Sequence, residues 1–179
     1  MVIGKGDIAS AITDREDVIF FASGVSNSKE THPNAYQREL KLLMSQPKDK
    51  HLVYFSSLCI YYLQTEYARH KRIMENTIKA HWPGYTIVRL GNIDWGTNQN
   101  TLINYLKSHP NANVQEVYRH IVSLEEFKYW LSMIPIPGKN EMNIPGQRVW
   151  VPDLMKQIHP NYKSNGYDIN ELTPNNIDV

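Results

Sequence analysis

The apolar positions of this chain fall into short unbroken runs separated by helical patterns. Val18-Ile19-Phe20-Phe21, Leu52-Val53-Tyr54-Phe55 and Tyr85-Thr86-Ile87-Val88-Arg89-Leu90 are such runs. They end in small or polar residues: Ala22-Ser23-Gly24, Ser56-Ser57 and Gly91-Asn92. A run that is apolar at consecutive positions buries both of its faces, as a strand covered on two sides does. Between the runs, Ala35, Leu40, Leu43 and Met44 predict a helix over 35–44, stopped by Pro47. Ile73, Met74, Thr77 and Ile78 recur at helical spacing within 66–80, and Pro83-Gly84 breaks the pattern. Val2-Ile3 is a very short apolar start. Beyond Trp95 the signal weakens and predicts a helix over 101–107, a strand over 117–122 and a helix over 124–133. That last helix is opened by Ser123, with Glu125 and Glu126 in its first turn. A short strand at 149–151 and a helix over 152–158 close the pattern. Strand and helix in alternation predict an α/β fold, a parallel sheet with helices on both faces.

Composition then narrows the class. A length of 179 residues fits one domain. With 41% hydrophobic and 21% charged residues, wholesale disorder is excluded. Nineteen Lys+Arg against eighteen Asp+Glu leave a formal charge of +1, which argues against nucleic acid or an anionic membrane as partner. No apolar run approaches the ~18 residues of a membrane span, and glycines interrupt the N-terminus before a signal-peptide core could form. The single cysteine, Cys59, rules out an internal disulfide and a cysteine zinc cage. The seven histidines are scattered, so no metal site is expected. The expectation is a soluble, cytoplasmic domain.

Two constellations carry candidate chemistry. Gly4-Lys5-Gly6-Asp7-Ile8-Ala9 fits the pattern G-x-G-x-x-G/A between a strand and a helix, where small residues let the backbone approach a pyrophosphate. The alternative is a tight turn with no ligand. The carboxylate that usually follows about 20 residues later, to hold the adenine ribose, is missing, since the next strand ends Ala22-Ser23-Gly24. In the second constellation Tyr67 and Lys71 stand four apart on one helix face, with Ser57 at the end of the preceding strand. An ammonium beside a phenol favours the phenolate, which predicts a lowered Tyr67 pKa and a proton carrier near neutrality. The bland alternative is a half-buried phenol and a solvated amine.

Taken in order, these segments resemble the extended short-chain dehydrogenase/reductase superfamily, in its NAD-dependent epimerase/dehydratase group. The resemblance is carried by Gly4–Ala9, Phe20–Gly24, Val53–Tyr61, Tyr67–Lys71 with Met74-Glu75, Val88–Asn92 and Tyr118–Glu126. It implies a three-layer Rossmann-like fold, reduced in size. Residues 1–95 would form the nucleotide-binding core, 96–158 a small substrate-side portion of the same domain, and 159–179 a loosely attached tail. It implies Ser57, Tyr67 and Lys71 as catalytic residues and NAD or NADP as cofactor. Gly4, Lys5, Gly6, Ile8 and Ala9 would lie on the pyrophosphate, Ala22, Ser23 and Gly24 on the adenosine side, and Leu90, Gly91 and Asn92 on the nicotinamide side. Ser56 would add to the cofactor site, as would Tyr67 and Lys71, the latter on the nicotinamide ribose. Ser57, Asn92, Trp95 and Arg119 would meet the substrate, a nucleotide-linked sugar. A homodimer through helices 35–44 and 66–80 is implied as well.

The chain departs from that family in two respects, one of them a short interval of ten residues from Ser57 to Tyr67 that removes a loop usually covering substrate. Only eight residues separate Ala9 from Val18, and Val18–Phe21 resembles the family's fourth strand, so the second and third strands are missing. Two functions follow as alternatives: a shortened oxidoreductase or epimerase, or a non-catalytic protein that binds, senses or sequesters a nucleotide ligand.

Overall fold

Five parallel strands form the centre of the molecule in the computed structural model, which describes residues 1–163. They are β1 (Val2–Ile3), β2 (Val18–Phe21), β3 (His51–Ser57), β4 (Tyr85–Leu90) and β7 (Lys139–Ile144), in the spatial order β1-β2-β3-β4-β7. Every residue of β2 and β4 is buried, as their unbroken apolar runs require.

Alternate side chains of these strands enter two separate cores. On one face Ile19, Phe21, Leu52, Tyr54 and Ile87 pack with Leu43 of helix α2 (Pro33–Met44) and with Met74 and Ile78 of helix α3 (Glu66–His81). On the other, Val18, Phe20, Val53, Phe55, Val88 and Leu90 meet Phe127 of α5 (Leu124–Ser132) and Ile8 of α1 (Asp7–Ser10). The result is the three-layer α/β architecture that the pattern predicts. The helix ends follow local chemistry. Thr65 accepts the Ala68 N–H to open α3, while Lys79 and His81 occupy its last turn. Pro33 opens α2, where its missing N–H costs nothing.

A second, three-stranded sheet stands at the C-terminal ends of the central strands. It orders β5 (Asn92–Ile93), β6 (Tyr118–Val122) and β8 (Gln147–Trp150), with β6 and β8 antiparallel. Helices α4 (Leu102–Ser108) and α6 (Val151–Ile158) pack beside it through Leu106, Val151 and Met155.

Several boundaries differ from the sequence reading. Strand β7 is absent from that reading, and Val151 belongs to α6 rather than to a strand. The helix after the glycine-rich turn is a single turn of four residues. Within the expected tail, His159 Nε2 bonds the Leu106 carbonyl at 2.8 Å and Tyr162 packs beside Leu106 and Met155. Residues 164–179 of that tail lie outside the described residues. Among the described residues, no helix is long and apolar enough to cross a membrane.

Candidate functional site

Parallel strands end together, and the turns that leave them enclose a cleft at their C-terminal edge. Here that cleft is a cavity of about 450 Å³. Lys5, Gly6 and Ile8 line it from the β1–α1 turn, and Ala22, Ser23 and Gly24 from the end of β2. Ser56 and Ser57 enter from β3, Tyr67 and Lys71 from α3, Leu90, Gly91 and Asn92 from the end of β4, and Arg119 from β6. Segments far apart in the chain thus meet at one site.

Three expected residues stand elsewhere. Gly4 is packed on the end of β2: its φ is +138°, and a Cβ there would lie 2.4 Å from the Ala22 carbonyl oxygen. Ala9 is buried against the sheet. Trp95 stacks on Phe127 with ring centroids 5.1 Å apart, and its Nε1 donates to the Asp7 carbonyl at 3.1 Å. Gly4 and Ala9 therefore shape the turn from outside the cavity, and Trp95 supports it from behind.

Lys71 is the best anchored of the candidate residues. Its Nζ donates to Glu39 Oε1 at 3.1 Å and to the Tyr54 hydroxyl at 3.0 Å. Burial works against this ammonium, but the Glu39 charge, with Tyr54 and Tyr67, outweighs it and raises Lys71 well above its ordinary range. Burial also opposes the Glu39 carboxylate. Lys71, His70 and the Val25 N–H outweigh that and hold Glu39 at about 2. An ammonium has three donors. Two are spent inside the fold, which leaves one for a hydroxyl or carbonyl in the cavity that Lys71 lines.

Tyr67 corrects an expectation. Lys71 Nζ lies 5.6 Å from its ring centroid and draws its pKa down, yet burial is the larger effect and pushes the phenol above its ordinary range. At neutral pH Tyr67 is a neutral phenol. Ser57 Oγ accepts the Cys59 N–H at 3.3 Å and so opens the short 3-10 turn of residues 58–61. Burial pushes the Cys59 thiol above its ordinary range, away from the reactive thiolate. Ser56 Oγ is buried without a hydrogen-bond partner among the described residues.

Two features of the site escape the sequence reading. Glu39 sits on the inner face of α2, four residues before the buried Leu43; that spacing, beside a lysine in need of a counter-charge, was the available signal. Asp7 accepts the N–H groups of Thr97 and Asn98, both at 3.0 Å, and so ties the glycine-rich turn to the loop after β5. Its carboxylate is thereby turned to backbone donors across the cavity mouth. A lone Asp inside a glycine motif gives no hint of this clasp.

The parallel sheet, the cleft at its strand ends and the glycine-rich first turn together define a Rossmann-like α/β fold, reduced in size. Solved structures that share this fold include two sugar-nucleotide 4-epimerases and a further enzyme. The UDP-N-acetylglucosamine 4-epimerase of Methanobrevibacter ruminantium, solved with UDP-N-acetylmuramic acid, matches with a TM-score of 0.63 and 17% identity, over 84% of this chain and 61% of that one. The Thermus thermophilus UDP-glucose 4-epimerase, solved with NAD, matches with a TM-score of 0.61 and 12% identity, over 80% and 61%. The enzyme WbmH of Bordetella bronchiseptica, solved with NAD+, gives 0.65 and 13%, over 83% and 60%. This chain therefore spans about three fifths of those proteins. No protein-family model matches it, and no curated protein matches its sequence.

Proposed function

We propose that the chain binds a nicotinamide dinucleotide, NAD or NADP, and acts as an oxidoreductase or epimerase on a nucleotide-linked sugar. The observation that carries this reading is that Ser57, Tyr67 and Lys71 share one cavity with the glycine-rich turn and the ends of β2 and β4. The cavity's volume falls within the ~300–1,000 Å³ of small-molecule sites. The unspent Lys71 donor and the unpartnered Ser56 hydroxyl suit an occupant rich in hydroxyl and carbonyl groups.

In this reading Gly6 to Ile8 hold the pyrophosphate, Ala22 to Gly24 the adenosine side, Lys71 and Tyr67 the nicotinamide ribose, and Leu90 to Asn92 the nicotinamide. In these positions the residues would hold a nicotinamide that could supply or accept a hydride. Ser57 orients a substrate oxygen by hydrogen bonding, Tyr67 carries the proton to it, and Arg119 offers its charge to a substrate phosphate. Arg119 is otherwise bonded only to the Tyr118 carbonyl and the Gln115 side chain among the described residues.

A second reading, a non-catalytic nucleotide-binding protein on the same scaffold, is favoured by one observation. Among the described residues β1 has a single neighbour, β2, and no further strand supports an adenosine pocket. Tyr67→Phe separates the two. In an enzyme it removes the proton carrier and lowers turnover by about 10²- to 10⁴-fold with little change in affinity. In a binder it changes affinity by about 0.5–1.5 kcal/mol and there is no turnover to lose. Nicotinamide absorbance and product formation over a panel of nucleotide sugars, measured with ligand affinity, read both. Full turnover in Tyr67→Phe would show that the Ser57/Tyr67/Lys71 assignment is wrong.

A further inference from the structure

Glu39 has no exposed surface. A carboxylate in such a place is costly unless donors and an opposite charge surround it. Four donors do so: the Val25 N–H at 2.8 Å, the Tyr54 hydroxyl at 2.9 Å, His70 Nε2 at 3.0 Å and Lys71 Nζ at 3.1 Å. They come from the turn after β2, from β3 and from α3, so one side chain of α2 joins three walls of the cavity region. The β2 turn closes directly over the ion pair. A Cβ on Gly24 would stand 2.7 Å from Lys71 Nζ and 3.1 Å from Glu39 Oε1.

This arrangement changes what Lys71 does to Tyr67. A lone ammonium 5.6 Å from a phenol ring stabilises the phenolate. An ammonium with a carboxylate 3.1 Å away is a short dipole, and its field falls off far faster than that of a free charge. After burial, the largest influence on Tyr67 is Lys71 from its own helix, which lowers it; Cys59 from the 3-10 turn, then Glu39 and Tyr36 from α2, push the other way.

We propose that Glu39 is a positioning residue that fixes Lys71 inside the fold and offsets part of its charge, so that the buried Tyr67 stays a neutral phenol in the unliganded site. The inference rests on the reading of Tyr67 as the proton carrier. In the step that reading assigns, the Tyr67 O–H bond breaks as a substrate oxygen gaining negative charge forms its own O–H bond. The phenolate left behind is reprotonated from solvent.

The test needs no ligand, so failure of dinucleotide binding leaves its readout intact. Phenolate absorbance is followed through an alkaline titration, each chain measured against the same chain carrying Tyr67→Phe, so that the difference isolates Tyr67. In the wild type Tyr67 remains a phenol at about pH 9. Glu39→Gln leaves Lys71 uncompensated and lowers the Tyr67 midpoint by about one pH unit or more. Glu39→Gln/Lys71→Met removes both charges and returns the midpoint to the wild-type value or above it, a reversal that a merely structural role would not produce. An unshifted midpoint in folded Glu39→Gln overturns the proposal, whether Lys71 keeps or loses its proton. So does a wild-type Tyr67 that ionises below about pH 8, a result that can be read even if Glu39→Gln does not fold.

Discussion

At the scale of single residues, the ion pair between Glu39 and Lys71 has a thermodynamic consequence that can be measured apart from any activity. Glu39 is held at about 2 in the folded chain, below the ordinary 4.5. A depressed carboxylate contributes stability that is fully present above its unfolded pKa and is lost as pH falls toward the folded value. For a depression of this size the contribution is on the order of 3 kcal/mol. Urea unfolding at a series of pH values is therefore expected to show the wild type losing that amount between about pH 5 and pH 2, relative to Glu39→Gln/Lys71→Met. Parallel profiles for the two chains would contradict it. That Ser57, Tyr67 and Lys71 line one cavity was legible in the sequence, from the i,i+4 spacing of Tyr67 and Lys71 and from the resemblance that names all three. Glu39 was not, because one carboxylate in a polar-rich helix reads as a solvated charge until a buried partner is known. The Tyr67 expectation erred for a related reason: i,i+4 spacing shows proximity to Lys71 but not burial, and burial is the larger effect.

At the scale of elements, the two glycines of the first turn divide their labour. Gly4 adopts φ +138° and has no room for a Cβ beside Ala22, whereas a Cβ on Gly6 would meet nothing within 4 Å. Gly4→Ala is expected to destabilise the fold by about 1–3 kcal/mol through backbone strain and the clash with β2. Gly6→Ala should leave stability within about 0.5 kcal/mol and instead weaken ligand binding, because Gly6 lines the cavity. Unfolding midpoints beside affinities check both, and equal destabilisation by the two substitutions would contradict the division. Strands β2 and β4 could be read at their observed limits because continuous apolar runs have sharp ends. Strand β7 could not. Lys139, Glu141 and Asn143 alternate with Asn140, Met142 and Ile144, a weak pattern that suffices for an edge strand paired on one side with β4.

At the scale of the whole molecule, parallel order and layering followed from alternation, since a run buried on both faces requires helices on both sides. The small second sheet did not, because β5 is two residues long and β6 pairs with strands from both directions. Assembly is a proposal at this scale. Met44 on α2 and Ile73 on α3 are 39% and 47% exposed, and a homodimer through these helices would cover them. Light scattering at tens of micromolar is expected to give twice the chain mass, and a monomeric mass would reject that arrangement.

The central claim is that the cavity at the strand ends is a dinucleotide site, and isothermal calorimetry with NAD, NADP and nucleotide sugars tests it most directly. A hydrogen bond to a charged acceptor contributes on the order of 1.5–3 kcal/mol. Without a carboxylate for the adenine ribose, affinity should therefore be about ten- to a hundredfold below that of a site that keeps one. The predicted result is measurable heat with NAD or NADP, weakened by Lys71→Ala and by Gly6→Ala. No heat with any dinucleotide or nucleotide sugar, in a chain shown to be folded, would contradict the account.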